Sequence, residues 1–88
     1  MPYIRQSRRK SLDPDIDALV KKVDTDGELN YIITTLLLKS RLSLLSYLDI
    51  ERVMGLLECV KMEIYRRLAG PYEDSKSEES GDVFPGRS

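Results

Sequence analysis

The sequence predicts an all-α protein. A short helix, a medium helix and a long C-terminal helix would form a helical hairpin or bundle that oligomerisation completes. Apolar residues recur at spacings of three and four, capping patterns precede the apolar stretches, and no alternating segment is long enough for a strand. The chain has 88 residues, which is room for one small domain with a marginal core.

The first helix is predicted over about residues 14–23. Asp13 followed by Pro14 has the form of an N-cap and a first helical position, and Lys21 and Lys22 suit the negative C-terminal end. One apolar stripe follows the cap at helical spacing: Ile16, Leu19, Val20 and Val23.

The second helix begins at a capping box, in which Thr25 is the cap and Glu28 lies three residues on. Asp26 is an equally good cap on sequence grounds. The apolar face consists of Leu29, Ile32, Ile33, Leu36 and Leu37. The helix is predicted to end within residues 40–43, and residues 40–48 fit either a helix or a loop.

The third helix is predicted from the second capping pattern, Ser46 to Asp49, as far as Leu68 or Ala69. Gly70-Pro71 then predicts a stop. About 23 residues make a helix of about 35 Å. Its main apolar seam has near-heptad spacing and consists of Ile50, Val53, Leu57, Val60, Ile64 and Leu68.

Charge divides the chain into three parts. Residues 1–12 form a basic arm, 13–72 the helical domain and 73–88 an acidic tail that we expect to be flexible. The cations of the arm are Arg5, Arg8, Arg9 and Lys10. The tail acids are Glu73, Asp74, Glu78, Glu79 and Asp82.

The seam of the third helix is longer than the partner helices that one chain offers, so part of it would stay exposed in a monomer. Exposed apolar patches of that size mark interfaces, and so small a domain seldom stabilises itself alone. We therefore predict a homo-oligomer. The alternative is that residues 42–48 fold back over the surplus.

Composition argues against most catalytic chemistry. The chain has no His, and its one Cys cannot form an internal disulfide or a multi-cysteine zinc site. Cys59 would be a buried, inert thiol. Glu51, Glu58 and Glu63 have no carboxylate three residues on, as paired metal ligands on a helix would require. We therefore expect no enzyme, no cofactor and no metal, and an all-α nucleotide pyrophosphohydrolase is the third and disfavoured function.

Neither a transmembrane segment nor a signal peptide is predicted, since no apolar run approaches about 18 residues. A cytoplasmic protein without a membrane partner is the default expectation. A nucleic-acid partner is disfavoured, because the net charge is −1 and a four-charge arm is more often solvated.

Five polar and aromatic residues form the candidate ligand site: Asn30, Tyr31, Lys61, Tyr65 and Arg66. If the second and third helices are antiparallel, residues near 30 lie close to residues 61–66. Tyr can stack on a base and Arg can bind phosphate in a bidentate manner, so the expected ligand is a nucleotide-like anion. The alternative is that the charges form surface ion pairs and the Tyr hydroxyls are exposed edges of core aromatics.

Several sequence blocks carry a resemblance that covers nearly the whole chain. The blocks are Met1-Pro2-Tyr3-Ile4, Arg8-Arg9-Lys10, Gly27-Glu28-Leu29-Asn30-Tyr31, Leu57-Glu58-Cys59-Val60-Lys61, Tyr65-Arg66-Arg67, Pro71-Tyr72-Glu73-Asp74 and Gly81-Asp82-Val83. Together they resemble a family of small uncharacterised proteins of bacteria, archaea and tailed phages, described only as a domain of unknown function. The resemblance implies no activity or cofactor. Residues 85–88 lie outside it and are expected to be dispensable.

The resemblance implies that a set of polar residues belongs to a shared pattern: Asn30, Glu58, Lys61, Tyr65, Arg66 and Tyr72. It thereby favours a role for these residues in a ligand site or interface over a role as merely solvated surface residues. We expect a non-catalytic homo-oligomer that binds a nucleotide-like anion, by analogy with phage proteins that sequester nucleotide signals. The alternative is a structural protein that docks on a larger partner protein.

Overall fold

The computed structural model describes residues 2–85, which contain helices and no strand. In chain order the elements are α1 (Gln6–Lys22), α2 (Asp26–Arg41), α3 (Tyr47–Ile64), a π-helical turn (Tyr65–Ala69) and α4 (Gly70–Ser80). The predicted all-α class is confirmed, and the last helical unit is the longest, as expected. No helix in the described range combines the length and hydropathy that a bilayer span requires.

The predicted start of the first helix at Asp13 and Pro14 is wrong. Helix α1 begins at Gln6, and Pro14 lies inside it. Proline has no N–H, so the carbonyl one turn earlier, at Lys10, loses its helical donor. The helix nevertheless continues through this position to Lys22.

Local hydrogen bonds begin α1 within the segment predicted as a basic arm. The Arg5 carbonyl accepts the amides of Arg8 and Arg9 at 3.0 and 3.1 Å. The Arg9 Nε also donates to the Ile4 carbonyl at 2.8 Å. Because these bonds supply a first turn without a capping side chain, no cap pattern marked it in the sequence.

Helix α2 begins at the predicted capping box, and Thr25 rather than Asp26 is the cap. The Thr25 hydroxyl accepts the Glu28 amide at 3.1 Å. The Glu28 carboxylate accepts the amides of Asp24 and Thr25 at 2.8 and 3.1 Å. These backbone donors favour the ionised form and lower the pKa of Glu28.

The segment 42–46 connects α2 to α3 and is not helical. Ser46 caps α3 as predicted, since its hydroxyl accepts the Asp49 amide at 3.1 Å. Leu45 has a φ of 52°, in the left-handed region that costs a residue with a Cβ atom about 1–2 kcal/mol. Its side chain is largely exposed, so burial within one chain does not offset this cost.

The predicted stop at Gly70-Pro71 is also wrong, because the backbone stays helical from Tyr47 to Ser80. Within the π-helical turn, the Gly70 amide donates to the Tyr65 carbonyl, five residues earlier. This wider turn changes the carbonyl positions ahead of Pro71, whose ring would clash in a regular α-helix. The result is a helical rod about 50 Å long.

The acidic segment 73–88, predicted to be flexible, is helical over residues 73–80. Gly81, with a φ of 90°, ends α4 and donates its amide to the Ser77 carbonyl at 2.8 Å. The predicted boundaries at 12/13 and 72/73 stay a prediction, although helices pass through both of them. The end proposed to be dispensable is residues 85–88, of which 86–88 lie outside the described residues.

One chain builds almost no core. Among the described apolar side chains, Val53 is buried and most large ones are exposed. The accessible surface is 8340 Å², whereas a compact monomer of 10.1 kDa has about 5300 Å². The radius of gyration is 17.8 Å, whereas a compact chain of this length has about 12 Å.

The helices are splayed rather than bundled. Of the three long helices in the described range, only α2 and α3 approach each other along their backbones. Arg41 at the end of α2 shares a small recess with Val53 and Leu56 of α3. The bundle predicted from the sequence is therefore not closed within a single chain.

Replacing Thr25 by Ala removes the hydroxyl that caps α2 and should lower the free energy of unfolding by about 1 kcal/mol. Urea unfolding at one fixed protein concentration measures it. Thr34→Ala is the matched control, because the Thr34 hydroxyl bonds only Asn30 on the helix surface. The control should change stability by less than about 0.5 kcal/mol. Equal losses for the two variants would contradict the capping role.

Candidate functional site

A groove of about 760 Å³ follows the C-terminal part of α3, the π-helical turn and the start of α4. Its lining is mainly apolar, with charged groups at the edge. The lining residues are Cys59, Lys61, Met62, Glu63, Tyr65, Arg66, Gly70, Pro71 and Asp74. Departures from α geometry recur at functional sites, so the π-helical turn beneath this groove makes it the leading candidate site.

Glu63 is the hydrogen-bonding centre of the groove edge. Its carboxylate accepts Arg66 Nη2 at 2.6 Å and Arg66 Nε at 3.4 Å, which is a bidentate pair. The Tyr3 hydroxyl donates to the same carboxylate at 2.5 Å. The chain start is thereby tied to the end of α3, across 60 positions of sequence.

These donors favour the ionised form of Glu63. The hydrogen bond from Arg66 lowers the pKa of the carboxyl most, and the bond from Tyr3 lowers it further. Because the pKa is lower in the folded state, the stabilisation is present above the ordinary Glu pKa. It is lost as the pH falls through the folded-state value.

The two cations predicted to bind a ligand already have carboxylate neighbours. Arg66 pairs with Glu63, and Lys61 Nζ lies 3.2 Å from Glu58 Oε1. Both members of the Lys61 pair are largely exposed, so the pair contributes at most about 1 kcal/mol and can open readily. The ion pairs weighed as the alternative interpretation are therefore present, and they leave Lys61 able to turn toward a ligand.

The five predicted ligand residues lie at two places in a single chain. Lys61, Tyr65 and Arg66 line the groove. Asn30 and Tyr31 line a separate shallow recess at the start of α2. Convergence of all five residues thus stays a prediction about an assembly of chains, because the splayed helices do not produce it in one.

Asn30 is already engaged within its own helix. Its side-chain oxygen accepts the Thr34 hydroxyl at 3.1 Å, one turn along α2. Tyr31 is 70% exposed and is the more available of the two residues. Its ring therefore offers a free stacking face beside the recess.

The expectation of a buried thiol is wrong for one chain, because Cys59 is exposed and lines the groove. The sequence contains no His that could act as a general base for this thiol. Among residues 2–85, no three His, Cys, Asp or Glu side chains come together as a potential metal site.

Sequence reasoning missed the contact between Tyr3 and Glu63. The pairing of Glu63 with Arg66 was predictable, because the two residues have the spacing of a helical ion pair. The contact of Tyr3 with Glu63 was not predictable, because no local sequence pattern relates residues that are 60 positions apart. That contact depends on the path of the whole chain.

The pKa of Glu63, followed by NMR, tests this arrangement. It should lie below the ordinary Glu value and should rise in both Arg66→Gln and Tyr3→Phe, more in the first. Tyr65→Phe is the matched control, since the Tyr65 hydroxyl makes no hydrogen bond to Glu63 in the described structure. An unchanged pKa in Tyr3→Phe would contradict the contact between the chain start and α3.

Comparison with known proteins gives one family and no function. No curated protein and no solved structure matches the chain. A family model described as a domain of unknown function (DUF6899) matches residues 1–83, nearly the whole chain and the entire groove. The chain therefore belongs to the DUF6899 family of proteins with a domain of unknown function.

Proposed function

We propose that this protein is a non-catalytic helical interaction module, and that it completes its hydrophobic core by binding further copies of itself. The observation that carries the proposal is the exposed apolar seam of α3 and the π-helical turn. Helical rods with an uncovered apolar stripe are typical of assemblies in which a second helix covers that stripe.

From Val53 toward the C-terminal end of the seam, the exposed fraction of the side chains increases. Val60 is 49% exposed, Ile64 55% and Leu68 69%, although all three belong to the predicted core stripe. The partner helices contribute further exposed apolar groups, including Leu36 at 56% and Ile16 at 51%. All three helical units thus present apolar surface that one chain leaves in contact with water.

The amount of surface favours an obligate assembly. The chain exposes about 3000 Å² more than a compact monomer of its mass would. A standard protein–protein interface buries about 800 Å² on each partner, and obligate interfaces are larger and more apolar. The excess is nearly four times what a standard interface buries on one partner, so only association on the scale of an obligate interface would bring the exposed area toward the ordinary range.

A second copy is a better-supported partner than a larger, different protein. The uncovered surface is spread over three helical units rather than concentrated in one docking stripe, and these units together resemble an unclosed bundle. Chains of this kind close their core by pairing equivalent faces under rotational symmetry. Docking on a larger protein is the alternative. The mass of the protein in solution distinguishes it from self-assembly.

Ile64→Asp should convert the assembly to monomers. Ile64 is more than half exposed in one chain, so a carboxylate is tolerated there unless another chain covers the position. Burying an unpaired charge in an interface costs several kcal/mol, which is at least about a 100-fold loss of affinity. Light scattering after gel filtration should give a multiple of 10.1 kDa for the parent and 10.1 kDa for the variant.

Val83→Asp is the matched control, because Val83 is 85% exposed and follows the end of α4. It should keep the mass of the parent. A stably folded parent of 10.1 kDa at micromolar concentration would exclude self-assembly and leave docking on a larger protein.

A second candidate function is binding of a nucleotide-like anion in the groove. It is favoured by one observation, that Lys61, Tyr65 and Arg66 line the same concave surface. The ring of Tyr65 would stack on a base while the two cations bind phosphate. A neighbouring copy would supply Asn30 and Tyr31, and such a protein would act by sequestering a nucleotide signal.

Arg66→Ala should weaken nucleotide binding by roughly 10- to 150-fold, since a desolvated charge-assisted contact contributes about 1.5–3 kcal/mol. Calorimetry with a panel of nucleoside phosphates and cyclic nucleotides measures it. Arg67→Ala is the matched control, because Arg67 does not line the groove. If no compound in the panel binds below about 100 μM, this second function is excluded.

A further inference from the structure

Charge in this molecule is separated onto two helices at opposite ends of the sequence. The first turn of α1 and its cap carry Arg5, Arg8 and Arg9, all exposed. Helix α4 carries Glu73, Asp74 and Glu78, which are exposed too. The three named cations and the three named anions balance each other, in a chain whose net charge is −1.

Neither patch is neutralised by an ion pair to the other within residues 2–85. In the described residues, each ion pair joins two side chains three positions apart on α3, on α4 or between α3 and the adjoining π-helical turn. Lys76 pairs with Glu79, and no described Lys or Arg side chain forms an ion pair with Glu73, Asp74 or Glu78. In the described part of the chain, the side chains of Arg8 and Arg9 bond only the Ser11 hydroxyl and the Ile4 carbonyl.

We infer that the basic turn of α1 in one copy lies on the acidic helix α4 of a second copy. This inference rests on the proposed self-assembly and names the contact that orients it. Arg5 and Arg9 are four residues apart, as are Asp74 and Glu78, and four residues span about 6 Å of helix. The two charge sets therefore match in spacing as well as in sign.

The position of the chain start favours contact with a second copy over contact within the chain. The hydrogen bond from Tyr3 to Glu63 already holds the start of α1 beside the rod. Even so, no arginine of α1 reaches a carboxylate of α4. Two-fold symmetry would place the α1 turn of each copy on α4 of the other and form the contact twice.

Reciprocal charge reversal tests this arrangement. One variant carries Arg5→Glu, Arg8→Glu and Arg9→Glu, and the other carries Glu73→Lys, Asp74→Lys and Glu78→Lys. Each variant alone should self-associate about 100-fold more weakly than the parent, because like charges then face each other. An equimolar mixture should recover the affinity of the parent, because every facing pair is again of opposite sign.

A matched control carries Asp13→Lys, Asp15→Lys and Asp17→Lys, which changes the charge as much as the α4 variant but on the other part of α1. It should keep the affinity of the parent. Sedimentation equilibrium at low and high salt measures all affinities, and circular dichroism verifies that each variant is helical. The difference between parent and variants should shrink at about 1 M salt, where screening extends over only about 3 Å.

The outcomes separate this contact from self-assembly itself. If the reversed variants associate as tightly as the parent, the contact between α1 and α4 is wrong while the apolar assembly stands. Loss of association in each variant without recovery in the mixture would mean that the charges act within one chain, which also overturns the inference. A monomeric parent would overturn both proposals.

Discussion

The structure depends on one constraint, which is that the helices of this 88-residue chain leave most of their apolar stripes uncovered. Its helices are well defined by local bonding, with a capping box at Thr25 and a serine cap at Ser46. Local bonding fixes helices without fixing how they pack, and the helices of one chain meet too little to bury more than Val53. The open shape follows from this shortage of internal partners, which is the basis on which a second copy is proposed to complete the core.

The long helical rod, Tyr47 to Ser80, carries the main features of the exposed surface. The π-helical turn lets the helix continue past Pro71, and the groove forms along this departure from α geometry. The hydrogen bond from Tyr3 to Glu63 then brings the start of the chain to the groove edge. The apolar seam, the groove and the Glu63 carboxylate therefore lie on the same rod.

Much of the fold could be predicted because helix periodicity and side-chain caps are local signals. The capping box at Thr25 and the seam through Val53 needed only spacing. Pro14 and Pro71 misled the prediction because a proline usually marks a helix boundary, whereas bonding around it can carry the helix onward. The site was only partly predictable, since three of its residues share one helical rod and the Tyr3 contact depends on the whole chain path.

Folding that requires association has a direct signature in the thermal unfolding midpoint measured over a 100-fold range of protein concentration. If apolar faces are buried only between copies, the midpoint should rise by several degrees as the concentration increases, because association stabilises the folded state by mass action. A cooperative transition whose midpoint is independent of concentration would mean that a single chain is stable by itself, and would contradict the assembly proposed here.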